Sequence, residues 1–172
     1  MRLILVRHAE AVGSFSSDAG ADAARPLTDR GRRQAANLAA MLHRVGVTPE
    51  VVVTSPTVRT AQTAEAFVAL LPAEHAILTV NLLLKPDELR PKKLSKQVAE
   101  LGAKTVVLVG HMPDIATYAA WLLGVGEQAV PFAKGAAACI GVGRGEVGEG
   151  CGVLEWFVTP EWCEPAGEVT SP

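Results

Sequence analysis

The sequence predicts an α/β domain in three layers, with a mainly parallel sheet between two layers of helices. Three observations carry this expectation. Leu3-Ile-Leu-Val6, Val51-Val-Val-Thr54 and Thr105-Val-Val-Leu-Val-Gly110 are short aliphatic runs without a polar face, the pattern of strands covered on both sides. Each feeds a helix or a loop, as the crossovers of a parallel sheet require. Each is also followed at once by residues that can do chemistry: Arg7 and His8, then Ser55 to Arg59, then His111. Ligands in open parallel sheets collect beyond the carboxyl ends of the strands, and these side chains would stand there. A surface Arg and a satisfied loop His would explain any one of them; four converging on one end are harder to explain so.

The other elements follow along the chain. Gly13 to Arg25 is rich in Ser, Asp, Ala and Gly without periodicity and reads as a loop near that end of the sheet. Asp29-Arg-Gly31 begins a helix running to about Val45, with Leu38, Met41, Leu42 and Val45 on one face and Gly46 as its C-cap. His43 falls off that face and reads as solvated. Ser55-Pro56 has the form of a helix start, Ser as cap and Pro at the first position, so Arg59 falls in the first turn. A cation is disfavoured there unless an anion binds; pairing with Glu65 or a solvated side chain is the alternative, and the other three residues favour the anion.

A loop holding an exposed His75 leads to a short strand at Ile77–Val80. Pro91 to Leu101 reads as a helix buried through Leu94, Val98 and Leu101, with Lys92, Lys93 and Lys96 as its solvated side. Pro113 starts a helix carrying Ile115, Ala119 and Leu122 that ends near Gly124. Ala136–Val142 and Val153–Val158 read as two strands around a glycine-rich connection. Gly143-x-Gly145-x-x-Gly148 matches a dinucleotide fingerprint in form, but no helical segment follows it, so a hairpin loop is expected. The domain is expected to span residues 1–159, with 160–172 a loosely held tail rich in Pro, Gly, Ser and Thr.

Composition narrows the class. The 172 residues suit one core; 49% are hydrophobic and 20% charged, the balance of a globular chain rather than a disordered one. A formal net charge of −2 offers no surface for nucleic acid or acidic membranes. No apolar run reaches the roughly 18 residues of a membrane span, and the N-terminal run is too short for a signal peptide. Cys139, Cys151 and Cys163 are odd in number and lack Cys-x-x-Cys spacing; Cys139 sits in an apolar run as a buried thiol. A cytoplasmic protein with reduced thiols is the expectation.

At these residues the chain resembles the histidine phosphatase, or phosphoglycerate-mutase-like, superfamily. That family's Arg-His-Gly, Ser-x-x-x-Arg and later Gly-His read here as Arg7-His8-Ala9, Ser55-Pro-Thr-Val-Arg59 and Gly110-His111. Pro26-Leu-Thr-Asp-Arg-Gly31-x-x-Gln34-Ala35 resembles its first-helix start. The short length and the Arg-His-Ala-Glu-Ala opening are most similar to small bacterial phosphohistidine phosphatases of the SixA type, and the resemblance runs from Met1 to about Phe157. Ala9 departs from the usual Gly, so its φ should be negative.

The resemblance implies His8 as a nucleophile that attacks phosphorus through a neutral ring nitrogen, its other nitrogen held by a backbone carbonyl. Arg7 and Arg59 would grip phosphoryl oxygens through planar forks, and His111 would donate a further hydrogen bond. Water would then hydrolyse the phosphohistidine. Larger family members carry an acidic Glu after the strand that corresponds to Ile77–Val80. Here Asp87 and Glu88 lie a few residues late, and Glu10 adjoins the nucleophile; any of the three is a candidate acid, though for each taken singly a solvated carboxylate is the favoured reading.

Rival phosphatase chemistries lack their residues. No Cys has the Arg spacing of a cysteine-phosphatase loop, and there is no Asp-x-Asp nucleophile or Gly-x-x-x-x-Gly-Lys loop. The four His lack metal-ligand spacing, so neither a metal nor any other cofactor is expected. The reading is a phosphatase acting on phosphohistidine in a partner such as a histidine phosphotransfer domain. A hydrolase of small phosphate esters and a non-catalytic phospho-binding module are the alternatives. The short stretch between the Arg59 helix and the strand before His111 leaves no segment for a large lid, and a monomer is expected.

Overall fold

β1 (Arg2–Arg7) occupies an interior position of a six-stranded sheet, flanked by β4 (Thr105–Gly110) in parallel and β5 (Ala137–Val142) in antiparallel register. The structure is a computed structural model that describes residues 1–13, 18–69, 71, 77–126, 129–143 and 147–164. With β2 (Val51–Thr54), β3 (Ile77–Val80) and β6 (Gly152–Val158), the strand order is β3-β2-β4-β1-β5-β6. The first four are parallel, and β5 with β6 forms the expected hairpin, antiparallel and at one end of the sheet. The strands ending at Val6, Val53 and Val109 are adjacent, as the sequence predicts.

Alternation within the central strands divides the core in two. Leu3, Leu5, Val51, Val53, Val106 and Leu108 face α4 (Pro91–Glu100) and α5 (Asp114–Leu123), through Leu94 and Val98 of one and Ile115, Ala119 and Leu122 of the other. Ile4, Val6, Val52, Val107 and Val109 face α2 (Asp29–Arg44) and α3 (Val58–Val68) through Leu38, Leu42, Ala64 and Phe67. Burying each of these aliphatic side chains is worth about 1.5–3 kcal/mol before conformational entropy is subtracted, and this holds the strand ends in register.

The helices depart from expectation at three places. The supposed loop before Arg25 contains a short helix, α1 (Ala19–Ala23), capped by the Asp18 carboxylate on Ala21 N–H at 2.9 Å. Five residues are too few to reveal a period. α3 begins at Val58, with Thr57 at its cap position, instead of at Ser55-Pro56. The Ser55 hydroxyl is engaged by His111 and is not a cap, though Arg59 still falls in the first turn. The expected tail also begins as structure: α6 (Pro160–Cys163) starts on its proline and buries Cys163 with Leu38, Leu42 and Cys139, so the packed domain runs past residue 159.

Smaller details behave similarly. Leu101 lies just beyond α4 and is 39% exposed, so the buried face of that helix is Leu94 and Val98. Val45, expected on the buried face of α2, is 65% exposed because the helix ends at Arg44. His43 and the three lysines of α4 are exposed, and Cys139 is buried with its thiol pushed up to about 12 by burial, then by Glu155. His75 and the middle of the glycine-rich connection lie outside the described residues. Among the described residues no helix is long and apolar enough to cross a membrane.

Candidate active site

Four sequence-predicted residues meet at the carboxyl ends of β1 and β4. Arg7 ends β1, His8 follows it, His111 follows β4, and Arg59 reaches in from the first turn of α3. The His8 and His111 rings have centroids 5.2 Å apart, inclined at 57°. His8 is 7% exposed, and Arg59 and His111 are 3% exposed, so polar atoms here must find partners or lack them altogether.

His8 is held by its neighbours. Its Nδ1 lies 2.7 Å from the Ala9 carbonyl oxygen, which can only accept, so Nδ1 carries the proton and Nε2 keeps its lone pair. The Ala9 N–H in turn donates to Thr63 Oγ1 on α3 at 3.1 Å, and Ala9 avoids positive φ. Burial lowers the pKa of His8 against the opposing bond to Ala9; the charges of Arg59, Arg7 and Lys134 lower it further, to about 4. The ring is neutral at pH 7, as nucleophilic attack requires.

His111 is placed just as firmly. Its Nε2 lies 3.0 Å from Ser55 Oγ and 3.4 Å from Thr57 Oγ1, while its Nδ1 faces Arg59 Nη2 at 3.4 Å. A guanidinium only donates, so Nδ1 accepts and Nε2–H is the donor to Ser55. Burial, then the charges of His8 and Arg59, push this imidazole down to about 3, Asp22 opposing.

The arginines supply unmet donors. Arg7 Nη1 donates to the Phe132 carbonyl at 2.7 Å, yet its Nε is buried without a partner. Arg59 Nε is also buried and unpartnered. Two orphaned guanidinium donors, beside a neutral imidazole lone pair in a nearly dry site, suit the oxygens of a tetrahedral anion. The acidic partner of Arg59 is not Glu65, the alternative the sequence offered: Asp22 of α1 takes that place, at 2.6 Å through its carbonyl and 2.9 Å through its carboxylate.

The candidate acids do not join the two imidazoles. Glu10 is engaged elsewhere, accepting from Thr28 Oγ1 at 2.8 Å and facing Arg30 at 3.6 Å, where it ties β1 to the start of α2. Asp87 and Glu88 are exposed. Asp87 takes a left-handed φ of 64° and donates its N–H to Asp114 at 2.8 Å, which shapes the turn before α4. Among the described residues no cluster of His, Cys, Asp or Glu could hold a metal ion.

Sequence reasoning missed Asp22, Ser55 as a His111 partner, Thr63 and Lys134. Asp22 sat in an aperiodic segment, and Thr63 reads only as one of α3's polar residues. Lys134 belongs to the turn whose Gly135 N–H donates to the carbonyls of both Arg7 and His8, at 3.2 and 3.1 Å. That Gly has φ of 78°, which only its lack of a side chain makes inexpensive.

The chain is similar to known proteins in sequence and in fold. Residues 3–79 match the model of the histidine phosphatase superfamily (branch 1). The protein histidine phosphatase SixA, solved with tungstate, superposes with a TM-score of 0.80 at 26% identity over 95% of this chain and all of that one. A structure described as phosphohistidine phosphatase SixA, from Agrobacterium tumefaciens, gives a TM-score of 0.73 at 22% identity over 92% of this chain and 98% of its own. The alpha-ribazole phosphatase of Shigella flexneri gives 0.67 at 19% over 93% and 97%. The latter two identities speak for the fold alone. No curated protein sequence matches the chain. Residues 3–79 thus carry the sequence signature of the histidine phosphatase superfamily, the chain shares the SixA fold, and this supports a phosphatase activity.

Proposed function

We propose that the protein hydrolyses phosphohistidine on another protein, through a covalent phosphoryl intermediate on His8. The observation that carries this is the fixed tautomer of His8: with Nδ1–H on the Ala9 carbonyl, Nε2 keeps its lone pair on a ring 5.2 Å from that of His111 and under the charges of Arg59 and Arg7. The phosphoryl oxygens would take the buried Nε donors of the two arginines. As the phosphorus–nitrogen bond of the substrate breaks and the bond to His8 Nε2 forms, the two guanidinium groups balance the charge on the equatorial oxygens. Water then attacks the phosphorylated His8 and releases phosphate, with Nε2 as leaving group.

The substrate class rests on the missing acid. An alkoxide leaving group needs a proton, and general acid catalysis is worth roughly a hundredfold or more there. Glu10, Asp87 and Glu88 are held elsewhere or exposed, whereas an imidazole leaving group can be protonated beforehand. Between α3 and β4 the described residues form β3, a 3-10 turn at Leu82–Leu84 and α4, with no domain-sized cover, which suits a side chain presented by a partner protein. The test is kcat/KM on a phosphorylated histidine phosphotransfer domain against that on a sugar phosphate, with one preparation. A preference for the protein substrate is expected; a preference for the sugar phosphate would assign the site to small esters.

A further inference from the structure

Arg59 stands in the first turn of α3, where the helix dipole opposes a cation, and it is almost wholly buried. Its guanidinium has two edges with paired N–H groups. The outer edge is fully used by Asp22: Nη1 donates to the Asp22 carbonyl at 2.6 Å and Nη2 to its Oδ2 at 2.9 Å. On the inner edge Nε has no partner, and Nη2 makes only a long contact of 3.4 Å with His111 Nδ1. Asp22 is itself braced. Arg25 reaches its Oδ1 from Nε at 2.9 Å and Nη2 at 2.7 Å, and anchors on the Val12 carbonyl at 2.7 Å. Val12 follows directly on the segment that carries His8.

We propose that Asp22 is a positioning residue for the phosphoryl-transfer site: it grips the outer edge of Arg59 so that the inner Nε–Nη2 edge meets the phosphoryl oxygens. Arg25 is the brace that keeps Asp22 in place. This rests on the phosphatase reading of the site. Burial works against the Asp22 charge, but hydrogen bonds from Arg25 and Arg59 and their charges outweigh it, holding the carboxyl below its ordinary range. It therefore remains an acceptor for both arginines at neutral pH.

The sign of the effect separates positioning from simple charge. A carboxylate this close to bound phosphate repels it, so by Coulomb's law alone removing it should tighten phosphate binding. Positioning demands the opposite. The experiment is calorimetric titration with inorganic phosphate, alongside turnover, on wild type, Asp22→Ala, Asp22→Asn, Arg59→Ala and the Asp22→Ala/Arg59→Ala pair, each checked for folding by its melting curve. Asp22→Ala should weaken phosphate binding by about tenfold and lower kcat/KM by up to about a hundredfold, since misplacement of about 1 Å costs that much. Asp22→Asn, which keeps one acceptor oxygen, should fall between. The double variant should be no worse than Arg59→Ala, because Asp22 acts through Arg59. Tighter phosphate binding in Asp22→Ala, or losses that add in the double variant, would overturn the proposal. A wild type that binds phosphate with this coupling but turns over no phosphorylated substrate would overturn the phosphatase reading and leave the positioning role standing. A wild type that binds no phosphate would end both.

Discussion

The imidazoles of His8 and His111 face each other 5.2 Å apart, and both are neutral at pH 7 for the same reason: burial beside guanidinium groups. The pair therefore keeps one free lone pair at His8 Nε2, while the lone pair of His111 Nδ1 accepts from Arg59 Nη2 at 3.4 Å. A phosphoryl group entering between them meets a nucleophile on one side. It meets on the other a base that must gain a proton before it can donate, so the hydrogen bond expected of His111 depends on the anion itself raising that imidazole's pKa.

That protonation is measurable. In 15N NMR of imidazole-labelled protein at pH 7, His111 should be neutral in the free state and become protonated when tungstate or phosphate is added, while His8 stays neutral. His111 remaining neutral in the complex would show that it does not donate to the phosphoryl group.

Acid should unfold the protein through the same pair. Both folded pKa values lie below the ordinary 6.5, so between about 6.5 and 4 the unfolded chain binds more protons than the folded one. Stability is therefore full above pH 6.5 and is lost as pH falls through this window. The His8 shift alone corresponds to roughly 3 kcal/mol. Urea midpoints measured from pH 7.5 to 4.5 should fall for wild type and fall less steeply in His8→Ala, where His111 still contributes. An equal slope in both would remove His8 as the cause.

Gly31 marks a close approach that the site depends on. A Cβ there would overlap the Glu10 carbonyl oxygen, a backbone atom two residues past His8. Gly31→Ala should cost about 1–3 kcal/mol by overpacking and also lower kcat, because relief requires the His8 segment to move. Thermal melts and turnover report the two effects separately; full activity with an unchanged melting temperature would contradict the close approach.

How far the sequence speaks for this site depends on the range of each signal. The central strands and α2, α4 and α5 were legible because apolar pattern and caps are local. Arg7, His8 and His111 were legible because each stands at the end of an apolar strand, and Arg59 because the short run from Ser55 places it in the first turn of the next helix. Asp22 was not, since its role comes from a contact with Arg59 in another element, and the single turn of α1 has no period of its own. Ser55 was misread because its sequence favours a helix cap, while the fold turns its hydroxyl to His111. Glu10 shows the reverse error: closeness to His8 in sequence put it beside the site, while contacts with Thr28 and Arg30 at the start of α2 hold its carboxylate.

The arginines should act in the transition state more than in binding the rest of the substrate. Arg7→Ala or Arg59→Ala each removes a charge-assisted donor from a nearly dry site, and a loss of roughly 10²–10³-fold in kcat/KM is expected. His43→Ala, on the exposed side of α2, should leave the rate unchanged. Steady-state kinetics on one phosphorylated substrate decide it, and an Arg7→Ala enzyme within a few-fold of wild type would remove Arg7 from the phosphoryl site.

The central claim is that His8 carries the phosphoryl group. Wild type mixed with a 32P-labelled phosphohistidine protein, quenched in alkali within milliseconds and digested, should yield label on the peptide containing His8. That label should be acid-labile and alkali-stable, as a phosphoramidate is. His8→Ala, with an unchanged fold, should show neither label nor turnover. Turnover by His8→Ala at the wild-type rate, or label on another residue in wild type, would contradict the account.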